Sequence, residues 1–208
     1  MLQLIAMITM LTDHVGLLFF PDHELFRIIG RLAFPLYCWL LVQGYYHTKD
    51  LQKYMERLWW IALLSQIPYS LALKTVELNV VFTLLLGLVG LFVMEHLEKE
   101  ALRPALLLGI FSASIFIPMD YGLYGIALIF IYRYADQQKI LYHVFLNIFY
   151  LVSSGLGFYI QLFSIFGTAL IPYRLYLPPI SIHRGVYRSF YPVHLAVLYL
   201  LSLWILPS

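Results

Sequence analysis

Apolar segments of membrane-spanning length follow one another almost without pause from Leu2 to Ile171. Hydrophobic residues make up 62% of the chain and charged residues only 12%, whereas about 25% of the residues in a typical soluble domain are charged. A chain with this pattern is typical of an integral membrane protein. The sequence therefore predicts an all-α fold, a polytopic helical bundle embedded in a membrane.

Apolar length and helix breakers predict about eight or nine transmembrane helices. Thr48 is predicted to cap a short interfacial helix after the second span, and Pro172–Phe190 is predicted to be a link. No stretch has the composition of a separate soluble domain, so residues 1–208 are predicted to form a single membrane domain. The predicted spans are Leu2–Phe20, Leu25–Tyr46, Leu58–Leu73, Val80–Met94, Pro104–Ile117, Tyr121–Tyr134, Ile140–Val152, Leu156–Ile171 and Tyr191–Leu206.

The basic residues are concentrated in every second link. The odd-numbered links contain only Lys74, and the even-numbered links contain ten Lys and Arg residues. By the positive-inside rule, the even links and the N-terminus are predicted to be cytoplasmic. The net charge of +2 is too small to indicate a nucleic-acid partner, and the single cysteine, Cys38, excludes an internal disulfide and a cysteine-cluster metal site.

Ionisable residues interrupt the apolar sequence within Thr12–Leu36. Asp13 and His14 lie in the first predicted span, and Arg27 and Arg31 lie in the second. At about 1.5 Å per residue, Asp13 and His14 lie roughly 10 Å below the outer end of their helix, and Arg31 lies roughly 9 Å below the outer end of the next. Because charged groups at membrane depth are costly, they usually face a polar interior and serve a function. Asp13 is therefore predicted to meet Arg31, with Arg27 one turn above on the same face.

His14 is the candidate for general acid/base chemistry, because a neutral imidazole can accept a proton near physiological pH. Adjacent residues on a helix point about 100° apart, so Asp13 is expected to pair with Arg31 while another group orients His14. A structural alternative remains open, in which the ion pair only fixes the register of the two helices. The predicted catalytic residues are His14, Asp13 and Arg31, and the predicted substrate-binding residues are Arg27, Asn79, Thr83 and Asp120.

A second group of candidates lies near the C-terminus, on the predicted cytoplasmic side. Arg184 and Arg188 could hold a phosphate-bearing cofactor through charge-assisted hydrogen bonds, together with Tyr191 and His194. The alternative is that the arginines reflect only positive-inside sorting and contact with anionic lipids. His194 stands inside an apolar run, so this alternative does not account for it.

Motifs around these residues resemble the TraX family of membrane proteins, which takes its name from the conjugal-transfer pilin acetylase. The resemblance extends over nearly the whole chain, in the order of the family. It rests on Ile5–Met10, Asp13–Gly16, Arg27–Pro35, Gly44, His47-Thr48, Asn79-Val80, Phe82-Thr83, Asp120–Gly122, Gly125, Phe190–Pro192 and His194-Leu195.

The resemblance implies a multi-pass acyltransferase of the bacterial cytoplasmic (inner) membrane that uses no metal. Such an enzyme would take acetyl from acetyl-CoA and pass it to an amine, on a peptide or protein such as pilin or on another exported molecule. Acetyl-CoA would bind at the inner basic links, and Arg31, Arg27 or Asn79 would stabilise the oxyanion. Whether His14 acts as a base or carries the acetyl group stays open.

Two other classes of protein fit the residues. Intramembrane Asp, His and Arg also suit a proton-coupled transporter or flippase. The residues also suit a non-catalytic assembly factor, in which the ion pairs only fix helix packing.

Overall fold

The computed structural model of the protein describes residues 1–205, except for the side chain of Leu156. Its regular structure is helical, apart from one isolated bridge between Leu78 and Met119. The α-helices are α1 (Leu2–Phe19), α2 (Glu24–Gly30), α3 (Ala33–His47), α4 (Leu51–Leu73), α5 (Val80–His96), α6 (Arg103–Phe116), α7 (Gly122–Tyr134), α8 (Lys139–Ser154), α9 (Ser164–Leu170) and α10 (Arg184–Ile205).

Three stretches of the described chain are long and apolar enough to cross a membrane. They are α1, the segment Glu24–His47 that contains α2 and α3, and α10. Two further apolar helices, α5 and α7, are shorter. These helices confirm the all-helical class and indicate a membrane protein, whereas the number of eight or nine spans stays a prediction.

The second predicted span corresponds to the membrane-length segment Glu24–His47, but a tight turn at Arg31 and Leu32 divides this segment into α2 and α3. The amide of Arg31 bonds to the carbonyl of Arg27 at 3.0 Å, and the amide of Leu32 bonds to that of Ile29 at 3.2 Å, which tightens the turn. Pro35 follows in the first turn of α3, where a missing N–H costs no intrahelical hydrogen bond. The bend therefore sets Arg31 at the junction of two helices.

The helix starts near the basic residues also differ from prediction. The predicted interfacial helix and third span form one helix, α4, and its cap is Asp50 rather than Thr48, because the Asp50 carboxylate accepts the Lys53 amide at 2.9 Å. Helix α10 begins at Arg184, inside the predicted link, and Pro192 is tolerated within it. The predicted end of the last helix, Leu206, lies outside the described residues.

The eighth predicted span is correct as helical sequence but not as one α-helix. A 3-10 helix covers Leu156–Phe163 and passes directly into α9. This tighter segment packs against α2 and α8, and it contributes Gln161 to the interior.

The helix α3 forms the centre of the bundle and packs against α1, α5, α7 and α9. The last helix, α10, packs against α1 and α4, with Leu195 fully buried. Close contact between α1 and α2 depends on glycine: a Cβ on Gly16 would lie 2.2 Å from Cβ of Phe26, and a Cβ on Gly30 would lie 2.0 Å from Oδ1 of Asp13. Small residues of this kind let membrane helices approach closely.

Candidate functional site

An ion cluster joins α1, α2 and the bend after α2. Oδ2 of Asp13 accepts a hydrogen bond from Arg27 at 2.7 Å, and Oδ1 accepts one from Arg31 at 3.3 Å. Arg31 also donates to the hydroxyl of Tyr121 at 3.2 Å and to Oε1 of Gln161 at 3.0 Å. Asp13 therefore meets Arg31 and, beyond the prediction, Arg27. One carboxylate between two guanidinium groups leaves this ion cluster with a net positive charge.

His14, which adjoins the ion cluster in sequence, is hydrogen-bonded to His194 and not to Asp13. Nδ1 of His14 lies 2.8 Å from Nε2 of His194, and the two ring planes are 13° apart. Both side chains are buried, each with 7% of the residue surface exposed. The contact places His194 with His14 between α1 and α10, away from Arg184 and Arg188.

The hydrogen bonds of the pair assign its protons. Nδ1 of His194 lies 2.6 Å from the carbonyl oxygen of Phe190, which can only accept, so this nitrogen carries the hydrogen. Nε2 of the neutral His194 is then an acceptor, and Nδ1 of His14 must donate to it. The proton assignment follows from this network. It leaves Nε2 of neutral His14 with a free lone pair and no hydrogen bond in the described chain.

Asn79 is fully buried and caps α5. Its side-chain oxygen accepts the amide of Val81, and its amide group donates to the carbonyl of Ala62 and to Oε1 of Gln66, at 2.8 and 2.9 Å. Both hydrogens of the side chain are in use, so the predicted contact of Asn79 with a substrate oxyanion has no free donor here. These bonds place the start of α5 beside Ala62 and Gln66, two to three helical turns before the end of α4.

Thr83 supports the link that carries Asp120. The hydroxyl of Thr83 is buried and donates to the backbone carbonyl of Asp120. The next residue, Tyr121, stacks on Phe34 with ring centroids 3.7 Å apart and accepts the hydrogen bond from Arg31. The carboxylate of Asp120 itself forms no hydrogen bond or ion pair among residues 1–205, and it lies half-buried beside these groups.

A cavity of about 480 Å³ lies between α1, α3, α4, α5 and α10. We call the end of the bundle at which α1, α4 and α10 begin the basic end, because Arg57, Arg184 and Arg188 line the cavity there. None of the three forms a salt bridge in the described chain, and no acidic residue lines this cavity. Its other lining residues include Met10, one turn before His14, and Tyr191, whose ring centroid lies 6.3 Å from that of His14.

A second cavity, of about 1020 Å³, opens at the opposite end of the same three helices. It is lined by Leu17 and Leu18, one turn after His14, and by the polar residues Tyr69, Lys74, Glu77, Tyr199 and Ser202. Along α1, α4 and α10, the first cavity lies on one side of the His14–His194 pair and the second cavity lies on the other.

Sequence reasoning missed a buried polar network on α7, α8 and α9. His143 contacts the hydroxyls of Tyr124 and Thr168 at 2.8 and 2.5 Å, and the Tyr124 hydroxyl also donates to Asn147 at 3.0 Å. Gln161 joins the network to Arg31. A signal was present in the sequence, because His143 and Asn147 stand four residues apart and so share one face of α8.

The fold and the site define a helical membrane protein in which a buried histidine pair lies between two cavities and next to an ion cluster. The model of the family described as TraX protein matches residues 1–202, so the chain belongs to the TraX family. This match confirms the family resemblance seen in the motifs.

One relative is similar over almost the whole chain. It is the probable fimbrial assembly protein FimC, serogroup H1, of Dichelobacter nodosus, 28% identical over 95% of this chain and 92% of its own length. An uncharacterised protein of Rickettsia prowazekii, RP591, is 39% identical over 22% of this chain and 18% of its own length. No solved structure matches the chain. The name of the first relative refers to fimbrial assembly.

Proposed function

We propose that this protein is a membrane-embedded acyltransferase that moves an acetyl group from acetyl-CoA to an amine, with the N-terminus of a pilin-like protein or peptide as the acceptor. The observation that carries the proposal is the cavity at the basic end, which extends from three arginines to Tyr191, the neighbour of the histidine pair. The name of the Dichelobacter relative supports an acceptor connected with fimbriae.

The basic end suits the donor. Coenzyme A carries several phosphate charges on one end and an acyl thioester on the other, joined by a long flexible arm. Arg57, Arg184 and Arg188 have no acidic partner in the described chain and can bind phosphates through charge-assisted hydrogen bonds. The cavity between them and Tyr191 has a mostly apolar wall, which fits the arm. The thioester would then lie next to His14.

His14 acts as the base in this proposal. The lone pair on Nε2 of His14 is free, because the hydrogen of His14 stays on its Nδ1, where it is donated to Nε2 of His194. Nε2 of His14 removes a proton from the acceptor nitrogen as that nitrogen attacks the thioester carbon, so a C–N bond forms. The C–S bond then breaks, and the imidazolium returns the proton to the leaving sulfur, giving an amide and the CoA thiol.

The acceptor enters from the second cavity, on the other side of the pair. Glu77 lines that cavity and can hold a protonated amine, which gives one proton to the Glu77 carboxylate or to water before the neutral amine attacks. The ion cluster of Asp13, Arg27 and Arg31 fixes α1 against α2 and so holds His14 at a height between the two cavities. In the cell, the basic end would face the cytoplasm, where acetyl-CoA is made.

Purified protein in liposomes, incubated with labelled acetyl-CoA and a panel of amines and peptides, tests the reaction. We expect acetyl transfer and CoA release by the wild type, and loss of both in His14→Gln. The matched control is His23→Gln, because His23 is an exposed histidine in the α1–α2 link. A wild-type rate in His14→Gln, or no transfer to any acceptor, overturns the proposal. Label that stays on His14 without acceptor would make the residue a covalent carrier.

The donor site has its own test. The double variant Arg184→Gln with Arg188→Gln loses two charge-assisted hydrogen bonds, each worth about 1.5–3 kcal/mol, so the Kd for CoA should rise roughly 10²-fold or more. Lys49→Gln is the control, because Lys49 is exposed at the same end but does not line the cavity. Equal CoA affinity in both variants would remove the arginines from the donor site.

A proton-coupled transporter is the second candidate function. Cavities on both sides of a titratable pair are the observation that favours it. Substrate uptake by protein-containing vesicles without acetyl-CoA, abolished in His14→Gln, would support transport and contradict the transferase.

A further inference from the structure

Tyr191 holds a buried hydroxyl that has no hydrogen-bond partner among the described residues. Only 7% of the surface of Tyr191 is exposed. The Val80 N–H at the start of α5 lies beside the hydroxyl, but it is itself a donor and cannot take the hydroxyl hydrogen. Leaving a buried polar group unpaired costs about 1–3 kcal/mol, so an orphaned donor inside a packed bundle needs a reason.

The position of Tyr191 supplies a reason. Tyr191 lines the cavity at the basic end, and its ring centroid lies 6.3 Å from that of His14 and 5.6 Å from that of His194. A ligand that extends from the arginines far enough to reach His14 therefore passes Tyr191. The free hydroxyl hydrogen is then available to an acceptor atom on that ligand.

The other donors near the pair are engaged or lie elsewhere. Both amide hydrogens of Asn79 are bonded within the protein. Arg27 and Arg31 are held by Asp13, and neither lines this cavity. Nε of Arg31 is also buried without a partner, but on the side of the ion cluster. Tyr37 and Tyr187 also line the cavity with hydroxyls that form no hydrogen bond in the described chain, but Tyr191 is the lining residue whose ring lies next to His14 and His194 and whose hydroxyl is buried without a partner.

We propose that the Tyr191 hydroxyl donates a hydrogen bond to the carbonyl oxygen of the donor thioester and stabilises the oxyanion formed when the amine attacks. This inference rests on the proposed function. No proton leaves Tyr191: the electron pair of the C=O bond moves to oxygen, returns as the C–S bond breaks, and the hydroxyl keeps its hydrogen throughout.

Tyr191→Phe tests the assignment, because it removes only the hydroxyl. Loss of one oxyanion donor typically lowers kcat about 10²–10³-fold, and we expect this loss with little change in KM for acetyl-CoA. The melting temperature should stay equal or rise, because the variant deletes an unpaired buried hydroxyl and keeps the ring. In the absence of acceptor, the carbonyl stretch of bound labelled acetyl-CoA should move to higher frequency in the variant.

Tyr132→Phe is the matched control. Tyr132 is as buried, at 2% exposed, but its hydroxyl is hydrogen-bonded to Thr168 at 2.6 Å and lies away from the cavity. We expect Tyr132→Phe to melt at a lower temperature and to keep the wild-type kcat. An unchanged kcat in Tyr191→Phe, or a loss of kcat with a matching fall in melting temperature, overturns the inference. An inactive wild type would instead overturn the proposed function.

Discussion

The contact between α1 and α2 leaves no room for a side chain at Gly30, and Gly30→Ala is the most direct test of the ion cluster. A Cβ there would lie 2.0 Å from Oδ1 and 2.4 Å from Cγ of Asp13. Non-bonded carbon atoms pack at about 3.5–4.0 Å, so Asp13 must move by roughly 1 Å or more. The bond from Arg31 to Asp13, already 3.3 Å long, would then be lost.

The expected loss of stability combines two effects. Forcing an extra methyl group into a packed interface costs about 1–3 kcal/mol. Breaking a buried ion pair costs about 3–5 kcal/mol. The cost here should be smaller, because the side chains are 13–26% exposed and Asp13 is displaced rather than removed. We expect a loss of about 3 kcal/mol, which corresponds to a fall in melting temperature of roughly 6–12 °C for a chain of this size.

Thermal unfolding of the purified protein in detergent measures this loss, with Gly109→Ala as the control. Gly109 lies in the middle of α6, and a Cβ there would meet nothing within 4 Å. Alanine at such a site should be neutral or stabilise by about 0.5–1 kcal/mol, because glycine is the poorer helix former. Equal melting temperatures for the two variants would refute the close approach of α1 to α2 at Gly30.

Four further variants, at three residues, separate structural from chemical roles. Asn79→Ala should destabilise by about 2–4 kcal/mol in thermal unfolding, because a helix cap and two buried hydrogen bonds are lost; an unchanged melting temperature would contradict the capping role. His194→Leu removes the acceptor for Nδ1 of His14, so the hydrogen of His14 can move to Nε2, and kcat should fall about 10²–10⁴-fold. His194→Gln keeps an acceptor and should retain more activity. Equal rates in the two variants would argue against the role of the pair. His143→Leu should lower the melting temperature, since several buried partners lose a hydrogen bond, yet leave kcat unchanged.

The height of the ion pair could be derived from the sequence, because the rise per residue and a short outer turn set Asp13 level with Arg31. The bend at Arg31 could not, since it depends on how the turn before Pro35 closes in three dimensions. Arg27 joins Asp13 only because Gly30 lets α1 approach that closely. Local periodicity describes one helix at a time and says little about such contacts.

Other features were present in the sequence but had two interpretations. Asn79 directly precedes an apolar helix, which is the position of an N-cap, and the structure uses it so. Arg184 and Arg188 were expected in a link and lie on α10, because the helix continues through Pro192. The partner of His14 depended on which helices are neighbours, and no local pattern indicates that α10 packs against α1.

The hydrogen bonds favour the histidine pair over the ion cluster as the group that would act in the proposed reaction. Asp13 pairs with both Arg27 and Arg31, and the clearest effect of these ion pairs is to fix α1 against α2. A variant at Asp13 would therefore lose activity by displacing His14, even if no carboxylate took part in the reaction. His14 differs, because its Nε2 has no partner in the described chain and because it lies between the two cavities along α1. Loss of activity without loss of stability should therefore single out His14 and Tyr191, and variants of the ion cluster should lose both together.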